Sequence, residues 1–365
     1  MEITSFIFNS SKKDLWKLTI KILAFTPLLL LIVLANLYID PANIYRKKSY
    51  EDGMGKLLAS GQNVGNFGDC DERLVQKYFI EHLSRPIDTI ILGSSRSMQI
   101  GKNIFPENVI NNSVSGGVLE DYLAIYYNYY MKNTNLKKVV IGIDPWLFNG
   151  KGQEVRWQSY EDDVKAMKAK LGEKNHFKFK DLISEKYLNI ISLSYFQESI
   201  LSLFSARKTH DYIATNEIEA DYMIKVSDGR LIYDKKRREI STEKAEEAAK
   251  VYGSEKVVYG FSDFVEVDPK LKKMLENFIH FMQNKGIKVV IFLSPYHPTT
   301  YKMLITRSDT KILLKVSEFL DDLAKRNNVE LVGSYNPEDL GLDGGMFFDG
   351  MHPKGEAVEK IFRRK

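Results

Sequence analysis

Five short apolar runs set the terms for this chain: Asp88–Gly93 (DTIILG), Val109–Asn112 (VINN), Lys138–Ile143 (KVVIGI), Ile287–Leu293 (IKVVIFL) and Val329–Val332 (VELV). They are rich in Val and Ile, and mostly continuous rather than alternating, as expected of strands buried on both faces. Helical stretches lie between them: Leu119–Met131, 268–285 and 310–327. The second opens at Asp268-Pro269, with proline in a first-turn position. A last helix starts near Lys354. This alternation predicts an α/β domain with a parallel sheet between two helical layers, a three-layer αβα arrangement. Ligands of such sheets bind beyond the carboxyl ends of the strands, so chemistry is expected in the residues that follow each run.

Ahead of the domain, Ile22–Ile39 (ILAFTPLLLLIVLANLYI) carries no charge. A run of about 18 such residues reaches roughly across a bilayer core. Lys12, Lys13, Lys17 and Lys21 precede it, and Arg46-Lys47-Lys48 follow only after Asp40. That asymmetry predicts a single-pass protein of the cell membrane with its N-terminus inside and the chain outside from about residue 40. The rivals are a cleaved signal peptide and a buried soluble helix. Ala35-Asn36-Leu37 makes a poor cleavage site, and signal cores are shorter. The expected organisation is a cytoplasmic tail (1–21), a transmembrane helix (22–39), a linker and N-terminal extension (40–85), the α/β domain (86–149 and 266–365) and a mostly helical insertion or cap (150–265). Within 40–85, Ser60–Asp71 reads as loop. Within the insertion, Val226–Ile232 reads as a hairpin whose Asp228-Gly229 suits a type I′ turn. The run Lys235-Lys236-Arg237-Arg238 reads as a solvated face.

Charge and cysteine content exclude several functions. The 52 basic residues nearly balance 48 acidic ones, and no basic stripe is interleaved with aromatics, so no nucleic-acid partner is expected. The single cysteine, Cys70, rules out an internal disulfide or a Cys-rich zinc site. It has no glycine turn or basic neighbour, so a catalytic thiol is not expected. No metal-ligand spacing and no phosphate-binding glycine loop occurs, so neither metal nor cofactor is expected.

Two blocks carry candidate chemistry. In Ile91-Leu92-Gly93-Ser94-Ser95-Arg96-Ser97 a strand ends, glycine permits a sharp turn, and hydroxyls reach the carboxyl edge of the sheet. A serine there suits a nucleophile, and its own N–H, near a helix N-terminus, can face a developing oxyanion. Alternatively, Ser94, Ser95 or Ser97 caps the following helix. In Phe347–Pro353 (FFDGMHP), Asp349 and His352 share a loop. The carboxylate can meet the imidazole Nδ1–H, leaving the other nitrogen to take a proton from serine. Alternatively, Asp349-Gly350 makes a turn and His352-Pro353 opens a helix. His297, just past the fourth strand, is a candidate for substrate binding and a rival base for Ser95. Asp144, past the third strand, is a candidate pocket residue, and Arg96 a candidate holder of an anionic acceptor. Tyr122, Tyr126, Tyr127, Tyr129 and Tyr130 recur at helical spacing, which suits core and boundary packing better than sugar stacking.

Together, a Gly-x-Ser ending the first strand and an Asp-x-x-His before the last helix resemble the SGNH/GDSL hydrolase superfamily. The resemblance covers roughly residues 86–148 and 268–365. It implies a flavodoxin-like parallel sheet, Ser95 as nucleophile, and Asp349 and His352 as the rest of a triad. Ser115-Gly116-Gly117 loosely matches the family's glycine block, so the N–H of Gly116 or Gly117 is expected to join that of Ser95 at the oxyanion. The third family block, Gly-x-Asn, reads Gly142-Ile143-Asp144 here. An ionised carboxylate has no proton to donate to an oxyanion. Asp144 is therefore turned away, protonated, or replaced in that role. The plan is also similar to membrane-anchored DltD-like proteins of teichoic-acid D-alanyl transfer, and to SGNH partners of membrane-bound O-acyltransferases. That similarity implies serine-dependent acyl transfer or ester hydrolysis on a cell-surface glycan. The expected partners are the membrane, an acylated donor, the glycan acceptor and a multi-span membrane O-acyltransferase. The rival implication is a non-catalytic SGNH-like scaffold beside such an acyltransferase or a glycan exporter.

Overall fold

The structure is a computed structural model in which the described residues are 12–39, 49–173 except 69, 107 and 153, 189–204, and 212–364. They fall into two units, Met1–Lys48 with His176–Thr209, and Ser49–Asn175 with His210–Lys365.

In the first unit, α1 (Lys12–Ile39) contains the segment Thr19–Ile39, 21 residues long and apolar enough to cross a membrane. The helix starts inside the stretch expected as a tail. A second helix, Leu193–Phe204, packs on it. The contact is specified by a polar residue on an apolar surface. Asn36 is fully buried, and its Nδ2 donates to the carbonyls of Ile190 (3.0 Å) and Ser192 (3.1 Å). The Ser199 hydroxyl lies 3.3 Å from Asn36 Oδ1. Such pairings substitute for water where an amide sits in an apolar segment.

The second unit begins with α2 (Ser49–Ala59), β1 (Asn63–Gly65) and α3 (Glu72–His82). It continues through β2 (Thr89–Leu92), β3 (Val109–Asn111), α4 (Leu119–Met131), β4 (Lys138–Gly142) and α5 (Glu161–Lys170). Further along come β5 (Ile213–Thr215), β6 (Ile224–Lys225), β7 (Leu231–Ile232), α6 (Lys235–Arg238) and α7 (Thr242–Ser254). The last third holds α8 (Pro269–Gln283), β8 (Lys288–Leu293), α9 (Pro298–Thr306), α10 (Ile312–Arg326), β9 (Glu330–Gly333) and α11 (Gly355–Arg363).

The five expected strands form one parallel sheet in the order β3-β2-β4-β8-β9. Alternate residues of each strand enter opposite cores. Ile90, Leu92, Val139, Ile141 and Ile291 face the core made with Phe79, Tyr122, Tyr126, Phe278 and Leu320. Ile91, Val140, Val290 and Phe292 face Val358, Ile361 and Phe362 of α11. Each fully buried side chain of this kind is worth about 1.5–3 kcal/mol, and burial on both faces explains why the strands read as unbroken apolar runs. Tyr122, Tyr126 and Tyr129 are buried in the first core, with Tyr127 and Tyr130 at its edge. The chain leaves β2 for β3 on one side and returns across it to β4 on the other. The crevice of such a sheet opens where this reversal occurs, past the carboxyl ends of β2 and β4.

The structure adds detail to three expectations. Within the expected linker and N-terminal extension, α2 and α3 pack against each other, and a strand, β1, lies inside the expected 60–71 loop. The 150–265 insertion is not simply a helical cap. Its strands join β1 in an antiparallel sheet of order β5-β1-β6-β7, so the insertion folds together with the segment that precedes the α/β core. The hairpin exists but its turn is different. Gly229 alone has positive φ (+82°), the Gly229 N–H donates to Val226 O (2.7 Å), and the Val226 N–H donates to Arg230 O (2.9 Å). This is a three-residue loop closed by a left-handed glycine, and a type I′ turn would need a second positive φ. Only glycine fits: a Cβ there would lie 2.0 Å from the Asn111 carbonyl oxygen.

Candidate active site

β2 delivers the chain to Gly93, where it turns sharply under Ser97; a Cβ at Gly93 would come within 2.6 Å of the Ser97 side chain. Of the three serines, Ser94 is the cap. Its Oγ accepts from the Arg96 N–H (3.1 Å). That leaves the half-buried Ser95 hydroxyl free to face outward. The element that follows is a single turn of 3₁₀ helix, Ser95–Ser97, rather than the expected helix. So short a turn offers little dipole, and stabilisation of negative charge here must come from individual N–H groups.

The 347–353 loop is pinned as a tight hairpin by the Phe347–Pro353 bridge and by the Phe348 N–H donating to His352 O (2.9 Å). Within it, Asp349 Oδ1 accepts from the N–H groups of Met351 and His352, each at 2.9 Å. The carboxylate is thus oriented by its own loop. His352 Nδ1 lies 2.9 Å from both Asp349 oxygens, and His352 Nε2 lies 2.9 Å from Ser95 Oγ. Side chains 257 positions apart along the chain meet in a continuous Ser–His–Asp chain of hydrogen bonds. Burial would raise the Asp349 pKa, but His352, the Met351 N–H and Arg237 together hold its carboxyl well below the usual range.

Arg237 is the neighbour of this hydrogen-bonded chain that the sequence did not point to. The basic run is not wholly a solvated face: Arg237 Nη2 donates to Asp349 Oδ2 (2.8 Å) and sits 3.3 Å from His352 Nδ1. Its guanidinium lies over the Tyr233 ring, 4.2 Å from the centroid. The signal available was Tyr233 four residues before Arg237, a spacing that brings an aromatic face under a cation, but nothing local said which of four basic residues turns inward.

The residues expected to bind substrate divide differently. Arg96 is buried and holds no acceptor. Its Nη1 donates to Asp144 Oδ1 (2.7 Å), its Nε to Met351 O (2.9 Å), and its Nη2 to the carbonyls of Ser294 and Pro295. Its guanidinium lies 4.0 Å from the Tyr296 ring centroid. Burial works against the Arg96 charge, but Tyr296 and Asp144 outweigh it and keep the cation above its ordinary value. Asp144, 2% exposed, is therefore turned into the protein against Arg96 and is not among the residues lining the cavity beside Ser95. Trp146, two residues on, donates from Nε1 to Gly117 O (3.1 Å).

His297 does not reach Ser95 either. It is fully buried, caps α9 by accepting the Thr299 N–H at Nδ1 (3.2 Å), and packs edge-on against Phe347. Burial, partly offset by Glu246, pushes its pKa down. It supports the 347–353 loop from behind, its backbone N–H donating to Gly350 O (3.1 Å). Of the two glycines, Gly117 spends its N–H on Val114 O (3.1 Å). The Gly116 and Ser95 N–H groups donate to no described residue. The glycine loop abuts the serine turn, since the Val114 N–H donates to Gly93 O (3.0 Å). It is held by Glu72, which accepts from the Ser115 N–H and hydroxyl (2.5 and 2.7 Å), and by Arg73, which donates to Ser115 O (3.2 Å).

A cavity of about 330 Å³ opens beside Ser95 and His352. Met54, Phe67, Val75, Met98, Met223 and Leu231 give it apolar walls, and Glu72, Lys225 and Arg237 supply charge. Cys70 also lines it. Burial, reinforced by Glu72 and Glu51, pushes the thiol up to about 12, so it is protonated and unreactive near neutrality.

No family model matches this chain, and no curated protein matches its sequence.

Proposed function

We propose that this chain is a membrane-anchored serine esterase or O-acyltransferase of SGNH type. The observation that supports it is the Ser95–His352–Asp349 chain, with 2.9 Å at each of its links and the hydroxyl opening into a cavity. Ser95 Oγ attacks the carbonyl carbon of an acyl ester while His352 Nε2 takes its proton. Asp349 fixes the ring and stabilises the imidazolium. The N–H groups of Ser95 and Gly116 receive the oxyanion. His352 then returns the proton to the departing alcohol, leaving an acyl-enzyme. A sugar hydroxyl, or water, attacks next with His352 again as base. Asp144, paired with Arg96, stays out of this cycle.

The anchor places the reaction at a membrane, and the excess of lysines before it argues for an external domain acting on a cell-surface glycan. A topological alternation that puts ligands past β2 and β4 also fits an SGNH sheet. Replacing Ser95 by Ala in the full-length, detergent-solubilised protein should cut turnover of 4-nitrophenyl acetate by at least about 10³-fold with unchanged melting behaviour. Equal turnover by the variant rejects the proposal. Adding oligosaccharide acceptors and measuring acylated sugar against free acid separates transfer from hydrolysis.

A further inference from the structure

Lys225 enters the Ser95 cavity from β6, next to Met223 on the same segment. It is 7% exposed, yet its ammonium makes no hydrogen bond or ion pair with any described residue. The other charges lining the cavity are already engaged. Arg237 is bound to Asp349, and Glu72 is held by the Ser115 N–H and hydroxyl. Burial pushes the Lys225 pKa down, with Glu72 and Cys70 opposing. The Lys225 ammonium is not sealed off from solvent, so water completes it in the open cavity and an anion entering there takes that water's place.

The walls around it say what that is. Met54, Phe67, Val75, Met98, Met223 and Leu231 form an apolar wall, Gln76 and Ser115 beside them are hydrogen-bonded within the protein, and the volume, about 330 Å³, is at the small end of ligand pockets. A sugar would leave its hydroxyls unsatisfied against Met54, Phe67 and Met98. A short methylene chain would not. Building on the acyl-enzyme reading above, we infer that Lys225 receives an anionic group at the far end of the acyl chain, so the preferred donors are esters of short dicarboxylic acids.

The test compares 4-nitrophenyl hydrogen glutarate with 4-nitrophenyl valerate, which have the same chain length with and without the terminal carboxylate. The full-length protein should favour the half-ester by about tenfold or more in kcat/KM. Lys225→Met should remove that preference while keeping valerate turnover within about threefold. Equal use of the two esters by the unaltered protein, or equal losses on both in Lys225→Met, overturns the inference. Binding to the Ser95→Ala protein is measured alongside, so that failure of catalysis is read separately. There, monomethyl glutarate should bind and methyl valerate should not, with the binding lost in the Ser95→Ala, Lys225→Met double variant. Binding that is indifferent to Lys225 overturns the inference even if Ser95 proves catalytic. A Lys225-dependent preference for 6-O-acetylglucose 1-phosphate over the half-ester would place the anion on the acceptor and overturn the acyl-chain assignment.

Discussion

Arg96 stitches together the carboxyl ends of three strands from one buried position, reaching Asp144 past β4, Ser294 and Pro295 past β8, and Met351 in the histidine loop. Removing it strands a carboxylate and three carbonyls at once. Arg96→Met should therefore cost about 3–5 kcal/mol, and more than Asp144→Asn, which keeps a polar partner for the guanidinium. Thermal melting of the two variants checks the order; an Arg96→Met protein as stable as Asp144→Asn would show that the cluster is not the hub described. Arg237 acts on the same loop from the insertion. Arg237→Gln should lower kcat by about 10- to 100-fold with little change in KM for acetyl esters, because it loosens Asp349 without touching the acetyl group. A pure KM effect contradicts that. Lys225 predicts a gain in stability: Lys225→Met should raise stability by about 1–3 kcal/mol near neutral pH. The sign with pH follows from its lowered pKa in the folded state. Below that value both states carry the proton and the penalty is full. As pH rises through it, the folded chain alone becomes neutral, so the native protein gains and the gap to Lys225→Met narrows toward pH 10. These three residues mark the limit of what was legible. Ser95, Asp349 and His352 announce themselves through local turn chemistry. The partners of Arg96, Arg237 and Lys225 are set by contacts between segments remote in sequence, and residue type alone assigned Arg96 to a ligand and Arg237 to water.

At the level of elements, the central sheet was readable because every strand is buried on both faces, and such burial writes an unbroken apolar run. The second sheet was not. Its strands are two or three residues long, and β1 pairs only with strands roughly 150 positions later, so no local period records them. The N-terminal helix α1 shows the same contrast. Its apolar length is plain in the sequence, whereas its packing against Leu193–Phe204 through Asn36 is not. That packing gives α1 a folded partner and argues for its retention. Intact-mass measurement of protein purified from membranes should therefore find residues 1–39 present, and a mature chain beginning beyond Ile39 would contradict it.

For the molecule as a whole, the insertion is part of the fold and part of the site. It supplies three strands of the β5-β1-β6-β7 sheet, the Arg237 contact to Asp349, and much of the cavity wall. Replacing 150–265 by a short linker should leave β1 without partners and give a poorly packed protein that binds hydrophobic dyes, rather than a minimal active domain. The reading of the site rests on Ser95 being activated by His352 when the protein is at work. Full-length protein exposed to a fluorophosphonate probe, then digested and analysed by mass spectrometry, reports this at single-residue resolution. The adduct should map to Ser95 and disappear in His352→Ala. A protein that takes up no probe, or takes it up at Ser95 equally well without His352, would show that the three side chains meet without performing the chemistry.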